Sequence, residues 1–331
     1  MKQLAEQIRG SQTILLSTHR QCDGDGLGAE LAMGHALRKI GKDVKIVNVD
    51  STPKKYRFLK PDSQIQYFET DQDLPASFDL TLIFDTNDER LLMPLFPELK
   101  KRSKIVTFID HHPVLQQGPR PSVTSYIDVK AASTGELAHR LIKELGIPLD
   151  RDIARALYTA ITFDTQLYRF IRNSPNSHRI AAELLEFDID PEEIHRHLFG
   201  NQTVQKMAFL ARALGQIEYY ADGRLAVLRL RDQDLFHYNL EPDESRDVVD
   251  LLMTIETLEA AALFREDSPG QYKLSLRSKG EIEVLSVAEL LGGGGHVHAA
   301  GATLTGPFQQ FKDQVVREIS ARLLKVPKTG S

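Results

Sequence analysis

Short apolar runs of β-prone residues alternate with helical patterns through the first half of the chain. Each run is five or six residues long, and the four runs are 13–18, 44–49, 80–84 and 105–109. Helical patterns cover 24–40, 134–145 and 153–161. Buried strands separated by helices are typical of a mostly parallel sheet covered on both faces. We therefore predict an α/β fold with an N-terminal, mostly parallel, doubly wound sheet.

The pattern changes from about Pro175 onward. Three helical stretches are followed by pairs of short strands that flank turn residues, including Asp222-Gly223. The chain has 331 residues, about twice a typical domain of ~150 residues. We predict an N-terminal domain over 1–187, a helical linker over 188–214 and a smaller C-terminal α/β domain over 215–325.

Composition restricts the partners of such a chain. The net charge is −5, and lysine and arginine are scattered, so the chain lacks the basic track that long nucleic acids require. No apolar run approaches the ~20 residues of a membrane span, and the N-terminus has no signal-peptide pattern. The single cysteine, Cys22, excludes an internal disulfide framework. We expect a cytoplasmic protein that does not contact membranes or long nucleic acids.

Aspartate and histidine residues lie directly after several of the predicted elements. The set comprises His19, Asp23 and Asp25 after the first strand, Asp85 after the third, Asp110, His111 and His112 after the fourth, and Asp164 after a helix. Because the carboxyl ends of parallel strands meet at one edge of a sheet, four separate segments can deliver these side chains to one place.

Clustered carboxylates repel one another, and a bound cation relieves that repulsion. Carboxylate and imidazole donors without a thiolate set suit Mn²⁺, or Mg²⁺ where nitrogen donors are fewer. Taken singly, an aspartate after a strand is usually a helix cap, and a histidine pair usually lies on the partly exposed polar surface. Because several separate segments carry such residues where one site could use them, the pattern favours a metallohydrolase with two ions. Cys22 lies among these residues and is interpreted as an incidental thiol.

A run of four glycines followed by His296 marks the C-terminal domain. Such a run is often a flexible connector, but successive backbone amides also form anion-binding nests. Its position within a compact domain favours the second interpretation. Arg277 on the preceding strand would supply a planar donor pair to phosphate oxygens, although an isolated arginine is more often solvated.

These motifs together resemble the DHH phosphoesterase superfamily, in the two-domain DHH–DHHA1 branch that contains bacterial nano-RNases and pAp phosphatases. The resemblance covers essentially the whole chain. Its first-domain motifs are His19-x3-Asp23-Gly-Asp25, Asp85, Asp110-His111-His112 and Asp164-Thr165. The DHHA1 motif is Gly292-Gly-Gly-Gly-His296-Val-His-Ala-Ala-Gly301, preceded by Arg277-Ser278.

The resemblance implies a role for each motif. It implies that six residues ligate two Mn²⁺ ions, with Mg²⁺ or Co²⁺ as substitutes and Asp85 as the bridge: His19, Asp23, Asp25, Asp85, His111 and Asp164. It implies that Asp110 orients the histidine pair and that His112 contacts the substrate phosphate. It also implies that the nucleotide binds to Arg277, Ser278, Gly293, Gly294, Gly295 and His296.

The activity implied is hydrolysis of RNA of two to five nucleotides to nucleoside monophosphates, with a possible pAp phosphatase activity. A homodimer is implied as well. Two alternatives remain open. One is a signalling phosphodiesterase for cyclic dinucleotides or for linear pApA and pGpG. The other is a catalytically silent nucleotide-binding regulator, although all six inferred ligand positions carry suitable residues.

Overall fold

The computed structural model describes residues 1–68, 74–115, 118–200, 202–240 and 242–326. The chain forms two compact units, Met1–Asn201 and Gln202–Ser331. The division between them lies within the segment predicted as a helical linker, and the predicted domain boundaries themselves stay predictions. Among the described residues, no helix combines the length and the apolar character that crossing a membrane requires.

The first unit contains a six-stranded sheet in which every paired strand is parallel. Its strands are β1 (Thr13–Thr18), β2 (Asp43–Asn48), β3 (Ile65–Tyr67), β4 (Phe78–Phe84), β5 (Ser103–Asp110) and β6 (Tyr126–Ile127). Its helices are α1 (Lys2–Gly10), α2 (Gly24–Lys39), α3 (Phe96–Arg102), α4 (Thr134–Leu145), α5 (Arg151–Asp164), α6 (Asn176–Leu185) and α7 (Pro191–Phe199). The prediction of a mostly parallel N-terminal sheet is confirmed.

Apolar side chains cover both faces of this sheet. Ile14 and Leu16 pack into one core with α2, α4 and α5, whereas Leu15 between them packs into a second core with Leu99 of α3. Successive side chains of a strand point to opposite faces, so the part of a strand that is packed on both faces is a run of consecutive apolar residues, here Ile14–Leu16. The continuous apolar run of β1 thus follows from its central position.

The second unit contains helices and a mixed six-stranded sheet. Its strands are β7 (Glu218–Tyr220), β8 (Leu225–Leu230), β9 (Ala260–Ser268), β10 (Gln271–Ser278), β11 (Gly294–His296) and β12 (Ala299–Thr305). Its helices are α8 (Val204–Leu214), α9 (Asp232–His237), α10 (Arg246–Leu252), α11 (Leu285–Leu290) and α12 (Phe308–Leu323). Within this second sheet, β8 and β9 pair in parallel and the other described pairings are antiparallel. The predicted second α/β domain is confirmed.

Candidate metal centre

The strand order β3-β2-β1-β4-β5-β6 places the ends of β1, β4 and β5 side by side. The order reverses between β1 and β4, and such a switch point opens a crevice beyond the carboxyl ends of the strands. His19 follows β1, Asp85 follows β4, and Asp110 is the last residue of β5. The sheet therefore brings together residues that are far apart in the sequence.

Asp85 lies at the middle of the cluster. Its Oδ2 is 3.5 Å from Nε2 of His19, and its Oδ1 is 3.6 Å from Nε2 of His111. Thr134 donates its hydroxyl to the same Oδ1 at 2.9 Å. The backbone of Asp85 has φ of +62°, a region that non-glycine residues adopt at a cost and that recurs at functional sites. The carboxylate of Asp85 thus faces two groups of candidate metal ligands.

The first group consists of His19, Asp23 and Asp85, whose candidate ligand atoms all lie within 4.8 Å of one another. Asp23 is also the N-cap of α2, since its Oδ1 accepts from the backbone N–H of Asp25 at 3.1 Å. Burial opposes protonation of His19, but hydrogen bonds to Asp23 and Asp85 outweigh it and raise the pKa of His19 to about 10. The carboxylates around His19 therefore favour a positive charge at this position.

The second group consists of Asp25, His111 and Asp164, again within 4.8 Å. The two oxygens of Asp25 accept from the backbone N–H groups of Thr134 and Gly135, at 2.6 and 2.8 Å, at the start of α4. Those bonds fix a carboxylate that is wholly buried. Burial and the charge of Asp85 raise the pKa of Asp25, and the same two causes raise the pKa of Asp164 to about 8.

The two histidines of the pair have different partners. Nδ1 of His111 lies 3.3 Å from the carbonyl oxygen of Ala131, which directs Nε2 toward the carboxylates. Nδ1 of His112 lies 2.8 Å from Oδ1 of Asp110. Asn87 donates its amide to Oδ2 of Asp110 at 2.6 Å. Asp110 therefore contacts His112 directly, whereas a backbone carbonyl orients His111.

The donor set fits divalent cations. Crowded buried carboxylates are held at raised pKa values by burial and mutual repulsion, and a cation removes that penalty. Oxygen donors with two imidazoles and no thiolate suit Mn²⁺ better than the thiolate-seeking metals. Cys22 is buried in the loop between β1 and α2. Among the described residues, it belongs to none of the groups that could hold a metal ion.

Sequence reasoning missed several residues that support the cluster. Thr134 and Asn87 hold ligand-type side chains in place, yet isolated Thr and Asn residues carry no recognisable signal. Buried Glu30 on α2 accepts at 2.6 Å from Nδ2 of Asn48, whose Oδ1 accepts at 3.2 Å from the backbone N–H of Thr18. Thr18 precedes His19, so this chain of hydrogen bonds fixes the start of the first ligand loop.

The predicted substrate residues of the second unit lie on β10 and β11, except Gly293, which directly precedes β11. Arg277 donates its Nε to Asp250 at 3.0 Å, and the buried hydroxyl of Ser278 donates to the carbonyl oxygen of Ile282 at 2.6 Å. His296 ends β11 and pairs with Ala299 of β12. Ser278 therefore holds the adjoining backbone, while Arg277 is paired within its own unit.

The glycine run has a packing role in the second unit. A Cβ on Gly293 would overlap the carbonyl oxygen of Gly301, and one on Gly295 would lie 2.5 Å from the carbonyl oxygen of Ala299. Gly294 pairs with Gly301 in the β11–β12 ladder. Close approach of these two strands thus explains Gly293 and Gly295 without reference to a ligand.

Comparison with known families agrees with this arrangement. Residues 13–161 match the model of the DHH family N-terminal domain, and residues 222–325 match the model of the DHHA1 domain. The chain belongs to the DHH phosphoesterase superfamily. The order of the two matches is that of its DHH–DHHA1 branch, and the members of this superfamily are hydrolases.

Similar proteins include a bifunctional oligoribonuclease and PAP phosphatase NrnA from Thermus thermophilus, 28% identical over 98% of this chain and 95% of its own length. A cyclic-di-AMP phosphodiesterase GdpP from Bacillus subtilis is 25% identical over 92% of this chain and 46% of its own length. The crystal structure of an exopolyphosphatase-related protein from Bacteroides fragilis superposes with a TM-score of 0.85 at 22% identity, covering 98% of this chain and 97% of that one. The last likeness concerns the fold.

Proposed function

We propose that this chain is a Mn²⁺-dependent phosphodiesterase that degrades RNA of two to five nucleotides to nucleoside monophosphates and also dephosphorylates pAp to AMP. The observation that carries the proposal is Asp85, whose two oxygens face two separate donor groups. The similarity to NrnA of Thermus thermophilus over nearly the whole of both chains supports the substrate class.

The proposed ligands of one ion are His19, Asp23 and Asp85, and those of the other are Asp25, Asp85, His111 and Asp164. When bound, two such ions supply Lewis acidity toward phosphoryl oxygens and lower the pKa of water. Mg²⁺ or Co²⁺ are proposed substitutes for Mn²⁺. The chain itself contributes a preorganised carboxylate frame, since Asp25 and Asp85 are already held by hydrogen bonds from the start of α4.

His112 is proposed to contact the phosphoryl group. Asp110 accepts from Nδ1 and from the backbone N–H of His112, at 2.8 and 3.1 Å, so the ring is fixed in one orientation. Burial opposes protonation of His112, but the nearby charge of Asp110 outweighs it and raises the pKa of His112 to about 9. A protonated imidazole donates a charge-assisted hydrogen bond to phosphate oxygens.

In the second unit, we propose that Arg277, Ser278, His296 and the glycines Gly293, Gly294 and Gly295 form the nucleotide-binding surface. Arg277 would have to exchange its contact with Asp250 for a phosphate oxygen. We further propose that the protein acts as a homodimer and binds no long nucleic acid, in keeping with its net charge of −5.

The test is a turnover panel with Mn²⁺ and 5′-labelled RNAs of two, three, five and twenty nucleotides, pAp, linear pApA and pGpG, and cyclic dinucleotides. We expect fast cleavage of the two- to five-mers and slow cleavage of the twenty-mer. Asp85→Asn should abolish turnover, whereas Asp43→Asn, on the exposed start of β2, should leave it unchanged. Equal rates for Asp85→Asn and the unmodified chain would refute the proposed site.

The similarity to GdpP supports a second candidate, a phosphodiesterase for cyclic dinucleotides. In the same panel, opening of a cyclic dinucleotide faster than any linear RNA would favour that candidate. If metal and nucleotide both bind but nothing is hydrolysed, the chain is a nucleotide-binding regulator and both enzymatic proposals fail.

A further inference from the structure

The loop that follows the candidate ligand Asp164 has an unusual backbone. Gln166, Leu167 and Tyr168 are three consecutive non-glycine residues with φ of +47°, +61° and +64°. For L-residues the left-handed region costs roughly 1–2 kcal/mol each, so surrounding contacts must hold the loop in this form. Backbone of this kind recurs where side chains are positioned for a ligand.

Hydrogen bonds return this loop to the end of α5. The backbone N–H of Leu167 donates to the carbonyl oxygen of Thr162 at 2.9 Å, and that of Phe170 donates to the carbonyl oxygen of Thr165 at 3.0 Å. Thr165 is the neighbour of Asp164. The loop therefore stays close to the candidate metal-ligand carboxylate.

The two aromatic residues of the loop are placed differently. Tyr168 points inward, where its hydroxyl lies 3.0 Å from Oγ1 of Thr162 and its ring stacks on His178 with centroids 5.2 Å apart. Phe170 points outward and is 54% exposed. The guanidinium of Arg169 lies 5.6 Å from the centroid of the Phe170 ring. The exposed ring of Phe170 is therefore accessible to a ligand, on a loop that begins next to the candidate ligand Asp164.

Positive charge accompanies this exposed ring. Arg172 is exposed two residues after Phe170 and donates to the carbonyl oxygen of Val129 at 2.9 Å. Arg169 is exposed as well. An exposed ring beside a guanidinium group, with a second arginine two residues further along the chain, is suited to bind a nucleobase and its phosphate.

We propose that Phe170 is a stacking platform for a nucleobase of the substrate, with Arg169 and Arg172 beside it as contacts for the adjoining phosphates. This inference rests on the proposed nucleotide substrate and adds the residues that recognise its base. Stacking accepts any base, because every base has a π-face, so the platform is expected to show little sequence preference.

The absence of tryptophan from the chain permits a direct test. Phe170→Trp introduces a single tryptophan at the proposed platform, and Phe236→Trp introduces one at a position that is 86% exposed on α9, as a matched control. Both full-length variants are titrated with AMP and with ribose 5-phosphate in the presence of Mn²⁺. In the Phe170→Trp variant we expect AMP to quench the indole fluorescence saturably and ribose 5-phosphate to leave it unchanged. Neither compound should quench the control variant.

Kinetics supply the second readout. Phe170→Ala should raise KM for a dinucleotide by about 5- to 150-fold, the range of one lost base–aromatic stack, with kcat little changed. Phe170→Tyr should restore the original KM. If equilibrium dialysis shows that AMP binds to the Phe170→Trp variant but the indole fluorescence is not quenched, the platform is refuted and the proposed function stands. If the unmodified chain neither binds nor hydrolyses any nucleotide, both the proposed function and the platform are refuted.

Discussion

Glu30 offers a prediction whose size follows from the structure. Its carboxyl group is fully buried on α2, and burial raises its pKa from 4.5 to about 8, although a hydrogen bond from Asn48 and the charge of His19 oppose the shift. In the unfolded chain the same carboxyl group ionises near 4.5. The folded protein thus holds the proton over a range of pH in which the unfolded chain has released it.

The sign follows from this difference. The contribution of Glu30 to stability is greatest below pH 4.5, decreases as pH rises from 4.5 to about 8, and levels above that, with a slope near 1.4 kcal/mol per pH unit. Between pH 5 and pH 8, this one group should therefore cost roughly 3–4 kcal/mol. Glu30→Gln removes the titration and keeps a side-chain oxygen that accepts from Asn48.

The assay is urea unfolding of the unmodified chain and Glu30→Gln at pH 5 and pH 8, followed by circular dichroism in EDTA so that metal binding does not contribute. We expect the variant to gain roughly 3–4 kcal/mol relative to the unmodified chain on going from pH 5 to pH 8. Glu6→Gln, on the exposed face of α1, should show no such gain. A Glu30→Gln gain below about 1 kcal/mol would refute the burial argument.

Three further predictions concern single contacts. Thr134→Val removes the donor to Asp85 and should lower metal affinity or kcat/KM by about 10- to 100-fold, measured by Mn²⁺ titration and turnover; an unchanged affinity and rate would contradict it. Arg224→Met removes the cation whose Nε lies 2.7 Å from Oε1 of buried Glu259, and it should destabilise the second unit by about 3–5 kcal/mol. A shift of the melting temperature below about 1 °C in thermal unfolding would contradict this expectation. Gly293→Ala should separate β11 from β12, seen as faster amide exchange at Gly301, whose backbone faces β11, and unchanged exchange would show that the strands adapt.

The sequence predicted the centre of the first sheet well because its strands are buried on both faces. The run 13–18 coincides with β1, and the predicted runs 44–49, 80–84 and 105–109 overlap β2, β4 and β5. Strands β3 and β6 escaped prediction, since three and two residues are too few to establish a pattern.

Helix ends were harder to predict. The apolar spacing of residues 248–259 predicts one continuous helix, yet α10 ends at Leu252. The hydroxyl of Thr254 donates to the carbonyl oxygen of Leu251 at 2.7 Å, so a side chain takes up an acceptor at the end of the helix. The glycine run 292–295 has the composition of a loop, whereas Gly294–His296 form a short strand against β12.

The candidate ligands were predictable because parallel strands deliver their end residues to one edge. Their supporting contacts were not, since they depend on tertiary positions. The start of α4 supplies two backbone N–H groups to Asp25, although the two segments are more than a hundred residues apart. The outward placement of Phe170 similarly depends on left-handed backbone in a loop that has no glycine.

The central claim is that Asp85 joins two cation sites, and a Mn²⁺ titration followed by electron paramagnetic resonance tests it most directly. We expect two Mn²⁺ ions per chain with an exchange-coupled spectrum, because one carboxylate is shared between them. Asp85→Asn should lose the coupling, while Asp43→Asn should retain it. A single bound ion, or two ions with independent six-line spectra, would contradict the account.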